Sequence, residues 1–223
     1  EITVPGDKSM SHRAIMLASL ADGKSEISGF LEGEDCLATI EVFKKMGVNI
    51  SRREGLFIVE GQGLKSLKEP SVPLDFGNSG TSVRLCSGVL VAQEFPSTLI
   101  GDSSLSSRPM TRITEPLCLM GANISSTEEG TLPIRVEPVD SLQSIQYSLP
   151  VASAQVKSCL LFAGLYSSGI TEIEVGSFVP AKLLPQLADT RELVAFSQKF
   201  RALHVSVLVP NLKGAEFAIE SGA

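Results

Sequence analysis

Apolar positions along this chain switch between a period of two and a period near 3.6, and the switches recur in one order. Ile2-Thr3-Val4 alternates like a strand, Pro5-Gly6 breaks it, and residues 14–21 carry a helical pattern. Residues 25–30 read as a short strand. A second helix is expected over about 35–45, with Leu37, Ile40, Val42, Phe43 and Met46 as its apolar stripe and Gly47 as its stop. Residues 48–51 and 56–59 then read as a hairpin. The order is βαβαββ.

That order returns. Met46-Gly47-Val48-Asn49-Ile50-Ser51 is echoed by Met120-Gly121-Ala122-Asn123-Ile124-Ser125, about 74 residues later. The opening is echoed too, since Gly77-Asn78-Ser79-Gly80-Thr81-Ser82-Val83-Arg84 follows the strand-like Pro73-Leu74-Asp75-Phe76 and leads into an apolar helix ending near Gln93. In this register Gly80 corresponds to Ser9 and Arg84 to Arg13. A third opening comes at Ala152-Ser153-Ala154-Gln155-Val156-Lys157-Ser158, with an apolar helix behind it and a stop at Ser168-Gly169. Between the second and third, residues 97–100 read as a strand, 101–105 as a turn, and Pro109 as a first helical position with Arg108 projecting just before it. Residues 126–149 read as a turn and exposed strands. The fold class expected is α/β, a pseudo-threefold repeat of βαβαββ units with an atypical third unit, in which equivalent helix starts face one side.

Helix starts of this composition attract anions. The first backbone N–H groups of a helix lack intrahelical partners, and the macrodipole adds positive charge there. At the first corner, Asp7-Lys8-Ser9-Met10-Ser11-His12-Arg13, Lys8 supplies a mobile ammonium, and Ser9 and Arg13 lie four residues apart on one helical face. Asp7 or Ser9 can equally serve as a plain N-cap. Arg108 can clamp a carboxylate or phosphate with its planar guanidinium, whereas Arg112, one turn further in, reads as structural or solvated.

Composition narrows the partners. With 43% hydrophobic and 20% charged residues, the chain is globular rather than disordered. A net charge of −6 argues against nucleic acid or a membrane surface, so an anion site has to be built from local basic residues such as Lys8, Arg13, Arg84, Arg108, Arg112 and Lys157. Cys36, Cys86, Cys118 and Cys159 lie in apolar helical patterns without metal-ligand spacing and read as reduced core thiols of a cytosol-like compartment. Two histidines make a histidine-rich metal site improbable. No apolar run reaches the roughly 18 residues of a membrane span, and no signal peptide is visible. The sequence begins without Met inside a strand pattern, which suggests a processed or partial product.

Taken together, Gly6-Asp7-Lys8-Ser9-Met10-Ser11-His12-Arg13, Gly77-Asn78-Ser79-Gly80-Thr81, Gly101-Asp102-Ser103-Ser104-Leu105 with Arg108-Pro109-Met110, and Ala152-Ser153-Ala154-Gln155-Val156-Lys157-Ser158 resemble the 5-enolpyruvylshikimate-3-phosphate synthase family. The likeness covers about residues 1–170. It implies one of two domains, each of three βαβαββ units, that close over shikimate 3-phosphate and phosphoenolpyruvate and transfer the enolpyruvyl group to the 5-hydroxyl, with no cofactor and no metal. By motif, Lys8 would touch both ligands and Ser9 and Arg13 would hold shikimate 3-phosphate. Gly80 would let phosphoenolpyruvate reach the backbone, Asn78 and Thr81 would shape that turn, and Arg108 would bind the ligand's anionic groups. Ser153 and Ala154 would meet the phosphate of shikimate 3-phosphate, and Gln155 would sit between the two substrates. The resemblance implies a cytoplasmic, monomeric protein. The family's acid/base carboxylates belong to the other domain, so weak binding and little turnover are expected of this chain alone. The related transferase acting on UDP-N-acetylglucosamine fits less well, having Lys-Asn-Ala at the first corner.

Near Thr171 the likeness changes. Ile173-Glu174-Val175-Gly176-Ser177-Phe178-Val179, Pro185-Gln186-Leu187-Ala188-Asp189 and Val207-Leu208-Val209-Pro210-Asn211-Leu212-Lys213-Gly214 resemble an internal piece of 3-hydroxy-3-methylglutaryl-CoA lyase, a TIM barrel in which Glu174 would end a strand. About 50 residues cannot close such a barrel, and the lyase's metal ligands are missing, so CoA-ester lyase chemistry is not carried over. Residues 171–223 are expected to form strand (172–176), helix (189–200) and strand (204–209), filling the end of the third unit of a mosaic chain. The competing reading is a non-catalytic anion-binding remnant.

Overall fold

A computed structural model of the chain describes residues 6–167, 172–179, 182, 190–198 and 204–222. The strand expected over residues 2–4 and the helix stop at Ser168-Gly169 lie outside the described residues. The chain divides into two compact units, Glu1–Ser168 and Gly169–Ala223.

In the first unit, α1 (Lys8–Leu20) starts at Asp7, whose side chain accepts from the Met10 N–H; Asp7 is therefore the cap, not Ser9. β1 (Asp22–Ile27), α2 (Glu34–Lys45), β2 (Asn49–Arg53) and β3 (Leu56–Gln62) follow. β1 begins three residues earlier than the alternation suggested, because its pairing with β3 starts at Asp22 opposite Gln62, and Gly29, at φ +63°, turns the chain soon after the strand ends. The three strands form an antiparallel sheet in the order β1-β3-β2.

A second set then runs β4 (Leu74–Asp75), α3 (Gly80–Leu90), β5 (Ser97–Ile100), α4 (Ser103–Ser106), α5 (Thr111–Leu119), β6 (Asn123–Ser125) and β7 (Ile134–Glu137). Its sheet has the order β4-β5-β7-β6, with β4 and β5 parallel and the other pairs antiparallel. The echo seen in the sequence is also an echo of hydrogen bonds. Val48 N–H donates to Phe43 O and Ala122 N–H to Leu117 O, both at 3.1 Å, around glycines with φ near +87° (Gly47) and +86° (Gly121). Both turns need glycine's left-handed backbone.

Three local expectations are corrected. Residues 101–105 are not a simple turn but lead into α4, capped by Asp102. Pro109 is not a first helical residue, since its carbonyl accepts from Arg84 Nη2 at 3.1 Å and the Met110 N–H donates to Gly130 O at 2.7 Å, so α5 begins only at Thr111. The strand within 126–149 is not exposed, because β7 buries Ile134 and Val136 in the core; residues 144–149, though described, form no strand.

The helices form the centre and the sheets the outside. Every residue of α3 except Thr81 and Arg84 is buried, and α6 (Ala154–Gly164) packs along it so closely that a Cβ on Gly88 would stand 2.0 Å from Cys159 O. One apolar cluster runs from Ile15 to Ala163 through both sheets and these helices. All four cysteines are free; Cys36, Cys86 and Cys159 are core thiols, but Cys118 is exposed, because α5 turns Ile113, Thr114, Pro116 and Leu117 inward and leaves its next position to solvent.

The second unit has β8 (Glu172–Ser177) and β9 (His204–Leu208) as a parallel pair, with α7 (Thr190–Ser197) and α8 (Leu212–Ser221). Thr190 accepts from Ser177 N–H at 3.2 Å, and Asn211 caps α8 through its bond from Gly214 N–H at 2.9 Å. α8 was not anticipated; Asn211 as cap, Gly222 at φ +80° as stop and the intervening apolar residues are its signals.

Candidate functional site

The buried body of α3 leaves only two side chains outside the core, and both belong to one polar cluster at its start. Ser79 caps the helix by accepting from Ser82 N–H at 3.2 Å. Thr81, the second helical residue, accepts from Gln155 Nε2 at 2.9 Å. Arg84 donates from Nη1 to Gln155 Oε1 at 2.9 Å and to Gly80 O at 3.3 Å. Gln155 is in turn the second residue of α6, whose start is capped by Ser153 accepting from Val156 N–H at 3.3 Å. The starts of α3 and α6 therefore lie side by side, with Ser153, Ala154 and Gln155 at one edge and Gly80 and Thr81 at the other.

Arg108 closes a further side. Its Nη2 donates to Asn78 Oδ1 at 2.5 Å and to Ser104 Oγ at 3.3 Å, and Nη1 reaches Asn78 O at 3.4 Å. Asn78 bridges outward by donating to Asp102 Oδ2 at 2.7 Å. The Asn78 amide, more than any other group, holds the Asp102 carboxyl below its ordinary range, with the Leu105 N–H adding to it. Gly80 sits where these groups converge, and a Cβ there would stand 2.9 Å from Arg84 Nη1 and 3.1 Å from Arg108 Nη1. Two guanidiniums thus flank a bare stretch of backbone at a helix N-terminus, the arrangement that favours a phosphate or carboxylate.

Lys8, Ser9 and Arg13 lie on α1. Lys8 and Ser9 are exposed, Arg13 is half-buried, and Lys8 is ion-paired with Asp35 in the first turn of α2. This group is tied to the α3 start through the interior. His12 Nδ1 and Thr39 Oγ1 are 2.7 Å apart, and Thr39 Oγ1 and Ser82 Oγ are 2.7 Å apart, all three residues buried. His12 carries a pKa lowered to about 4, chiefly by burial and then by the charges of Lys8 and Arg13. Among the described residues no three His, Cys, Asp or Glu side chains gather into a metal-binding group.

Of the residues named from sequence, Asn78, Gly80, Thr81, Arg108 and Gln155 share one hydrogen-bonded cluster, Ser153 and Ala154 adjoin it, and Lys8, Ser9 and Arg13 stand on the helix joined to it. Arg84 is the member that the motifs left out of the site. Its signal was present in the spacing, four residues after Gly80 as Arg13 follows Ser9. Lys157 and Arg112 are exposed; the charge of Arg112 still acts on Arg84, whose guanidinium pKa is lowered by burial first and by Arg108 and Arg112 next.

The family model for EPSP synthase (3-phosphoshikimate 1-carboxyvinyltransferase) matches residues 1–194. The chain belongs to the EPSP synthase family. The match passes the boundary near residue 170 drawn from the motifs, taking in β8 and the start of α7. Among curated relatives, the 3-phosphoshikimate 1-carboxyvinyltransferase of Methylococcus capsulatus is 59% identical over 172 residues, which is 77% of this chain and 39% of that protein. The same-named protein of Vesicomyosocius okutanii is 57% identical over 173 residues, 78% of this chain and 40% of its own. A solved EPSP synthase from Acinetobacter baumannii superposes with a TM-score of 0.73 at 54% identity, covering 75% of this chain and 39% of that one. The chain spans about two fifths of the length of the curated relatives it matches. Its fold is the α/β fold of these enolpyruvyl transferases.

Proposed function

We propose that this chain is the part of an enolpyruvyl transferase that holds shikimate 3-phosphate and one side of phosphoenolpyruvate. The observation that carries the reading is the convergence of Arg84 and Arg108 on the unsubstituted Gly80 backbone at the α3 N-terminus, with Gln155 across from it. In this reading Arg108 and the first N–H groups of α3 take the anionic groups of phosphoenolpyruvate, and Gln155 stands between the two ligands. Ser9, Arg13, Ser153 and Ala154 take shikimate 3-phosphate, and Lys8 leaves Asp35 to contact both. The 5-hydroxyl oxygen then adds to the enol carbon of phosphoenolpyruvate as a proton goes to its methylene. Loss of phosphate and of a methyl proton from this tetrahedral adduct leaves the enolpyruvyl ether. Fixed positive charge and aligned N–H dipoles lower the barrier by holding two polyanions together. The transfer calls on no metal or organic cofactor, and a monomer in the cytoplasm is the setting proposed for it.

A titration calorimeter tests the binding half. Shikimate 3-phosphate should give measurable heat with the wild-type chain, and Arg13→Ala should weaken it about tenfold or more, the worth of one charge-assisted hydrogen bond. Heat unchanged by Arg13→Ala, or none at all, overturns the assignment. With both substrates present, phosphate release should stay far below an ordinary enzyme rate. The second reading is a non-catalytic anion-binding remnant. It calls for no specific heat with shikimate 3-phosphate.

A further inference from the structure

Arg84 is half-buried beside the two ligand-facing groups, yet the way its donors are used sets it apart from Arg108. Both protons of Nη1 are taken, one by Gln155 Oε1 at 2.9 Å and one by Gly80 O at 3.3 Å, and Nη2 donates to Pro109 O at 3.1 Å. A guanidinium that grips an anion presents an open edge of its fork. Here three of the five N–H donors are spent on the protein's own oxygens, from three separate pieces of chain: the start of α3, the start of α6, and the turn that follows Arg108.

The far end of Gln155 is fixed as well, since Nε2 donates to Thr81 Oγ1 at 2.9 Å. An amide flipped by half a turn would set its NH2 against the guanidinium and its oxygen against a hydroxyl, losing the charge-assisted bond. Arg84 thus determines which way the Gln155 amide faces. It also captures the Pro109 carbonyl, which keeps residue 109 out of α5 and leaves Arg108 in the loop ahead of the helix.

We propose that Arg84 is a positioning residue, one that acts through Gln155 and the Pro109 turn to orient the groups facing the ligand without gripping the ligand itself. The proposal rests on the reading of the site given above. Lysine is a poor replacement, since a single ammonium on a flexible stem cannot span acceptors on three segments in fixed directions. Burial together with the charges of Arg108 and Arg112 would also press a lysine toward its neutral form, whereas an arginine keeps its charge.

The first test needs no ligand. In nitrogen–proton correlation spectra of the 223-residue chain, the Gln155 side-chain amide, assigned by its loss in Gln155→Ala, should show two well-separated protons shifted from free glutamine. In both Arg84→Ala and Arg84→Lys that pair should move to the free-glutamine position while the core backbone signals stay dispersed. An unmoved pair overturns the proposal. If Arg84→Ala fails to fold, Arg84→Lys carries the same test. The second test is a double-mutant cycle read by titration with shikimate 3-phosphate and phosphoenolpyruvate. Arg84→Lys should weaken binding about tenfold in the wild-type background and less than about twofold in the Gln155→Ala background. Equal losses in both backgrounds would show that Arg84 does not act through Gln155. A wild-type chain that gives no heat removes the functional reading, and the spectral test of positioning still stands.

Discussion

His12 is fully buried between the charges of Lys8 and Arg13, and its Nε2 has no hydrogen-bond partner among the described residues. Burial and two neighbouring cations all favour the neutral ring, which is why its pKa falls to about 4 from an ordinary value of 6.5. The unfolded chain therefore takes up this proton before the folded one does. Stability tied to His12 is fully present above the unfolded value and is lost as pH falls from there toward the folded value. Between roughly pH 7.5 and pH 5 the loss should reach about 2 kcal/mol. Urea unfolding of wild type and His12→Gln at both pH values checks this, because carboxylates titrating in the same range affect both proteins alike. A wild-type curve no steeper with pH than that of the variant would sink the assignment. At this scale the sequence was only partly readable. Lys8 was legible as a cation at a helix start, but its pairing with Asp35 was not, since the partner is 27 residues away and is brought near only by the packing of α1 on α2.

At the scale of elements, α3 is the axis on which the rest is hung. Its close approach to α6 depends on the missing side chain of Gly88, where an added Cβ would stand 2.0 Å from Cys159 O and 2.9 Å from Cys159 C, both backbone atoms that cannot swing aside. Gly88→Ala should then destabilise the protein by about 3 kcal/mol despite alanine's better helix propensity. It should also loosen Gln155 from Thr81, because the two helices must part. Denaturant midpoints and the Gln155 amide signal measure the two effects; a stabilised Gly88→Ala would show that α6 is free to move away.

Much of this layer was visible in the sequence where local chemistry sets it. Residues 97–100 are bounded by Pro96 and Gly101 and appear as β5 with the expected ends. The 48–59 hairpin and the helix behind Gly80 likewise follow from periodicity and glycine placement. What stayed hidden depended on distant partners. Pro109 has a good local signature for a helix start, and it is overruled by Arg84 on α3 and by Gly130. The bonds of Arg84 and Thr81 to Gln155 span 71 and 74 residues, so the repeat could place equivalent starts on one side but could not show which side chains would join.

At the largest scale, the apolar cluster running from Ile15 to Ala163 draws all its members among the described residues from the first compact unit. A unit with its own continuous core is expected to fold by itself. A chain ending at Ser168 should keep its helical circular dichroism and unfold in one cooperative urea transition; a broad, non-cooperative loss would show that residues 169–223 are needed for that core. Charge is distributed unevenly on the same scale. The chain carries −6 overall, yet Arg84 and Arg108 stand together at one helix start and Arg13 near another. In the proposed function that placement concentrates attraction for anions at the helix starts despite the net negative charge.

The buried contacts from His12 through Thr39 to Ser82 bear on motion as well as on folding. Sliding α1 along α3 would break the contacts that satisfy His12 Nδ1 and the Ser82 hydroxyl in an apolar interior, at a desolvation penalty. The two helix starts are thereby held as a single plate, and in the proposed function a ligand arriving at one would find the other already in register. In the proposed function, any closure over that ligand would leave these two helix starts undeformed relative to each other.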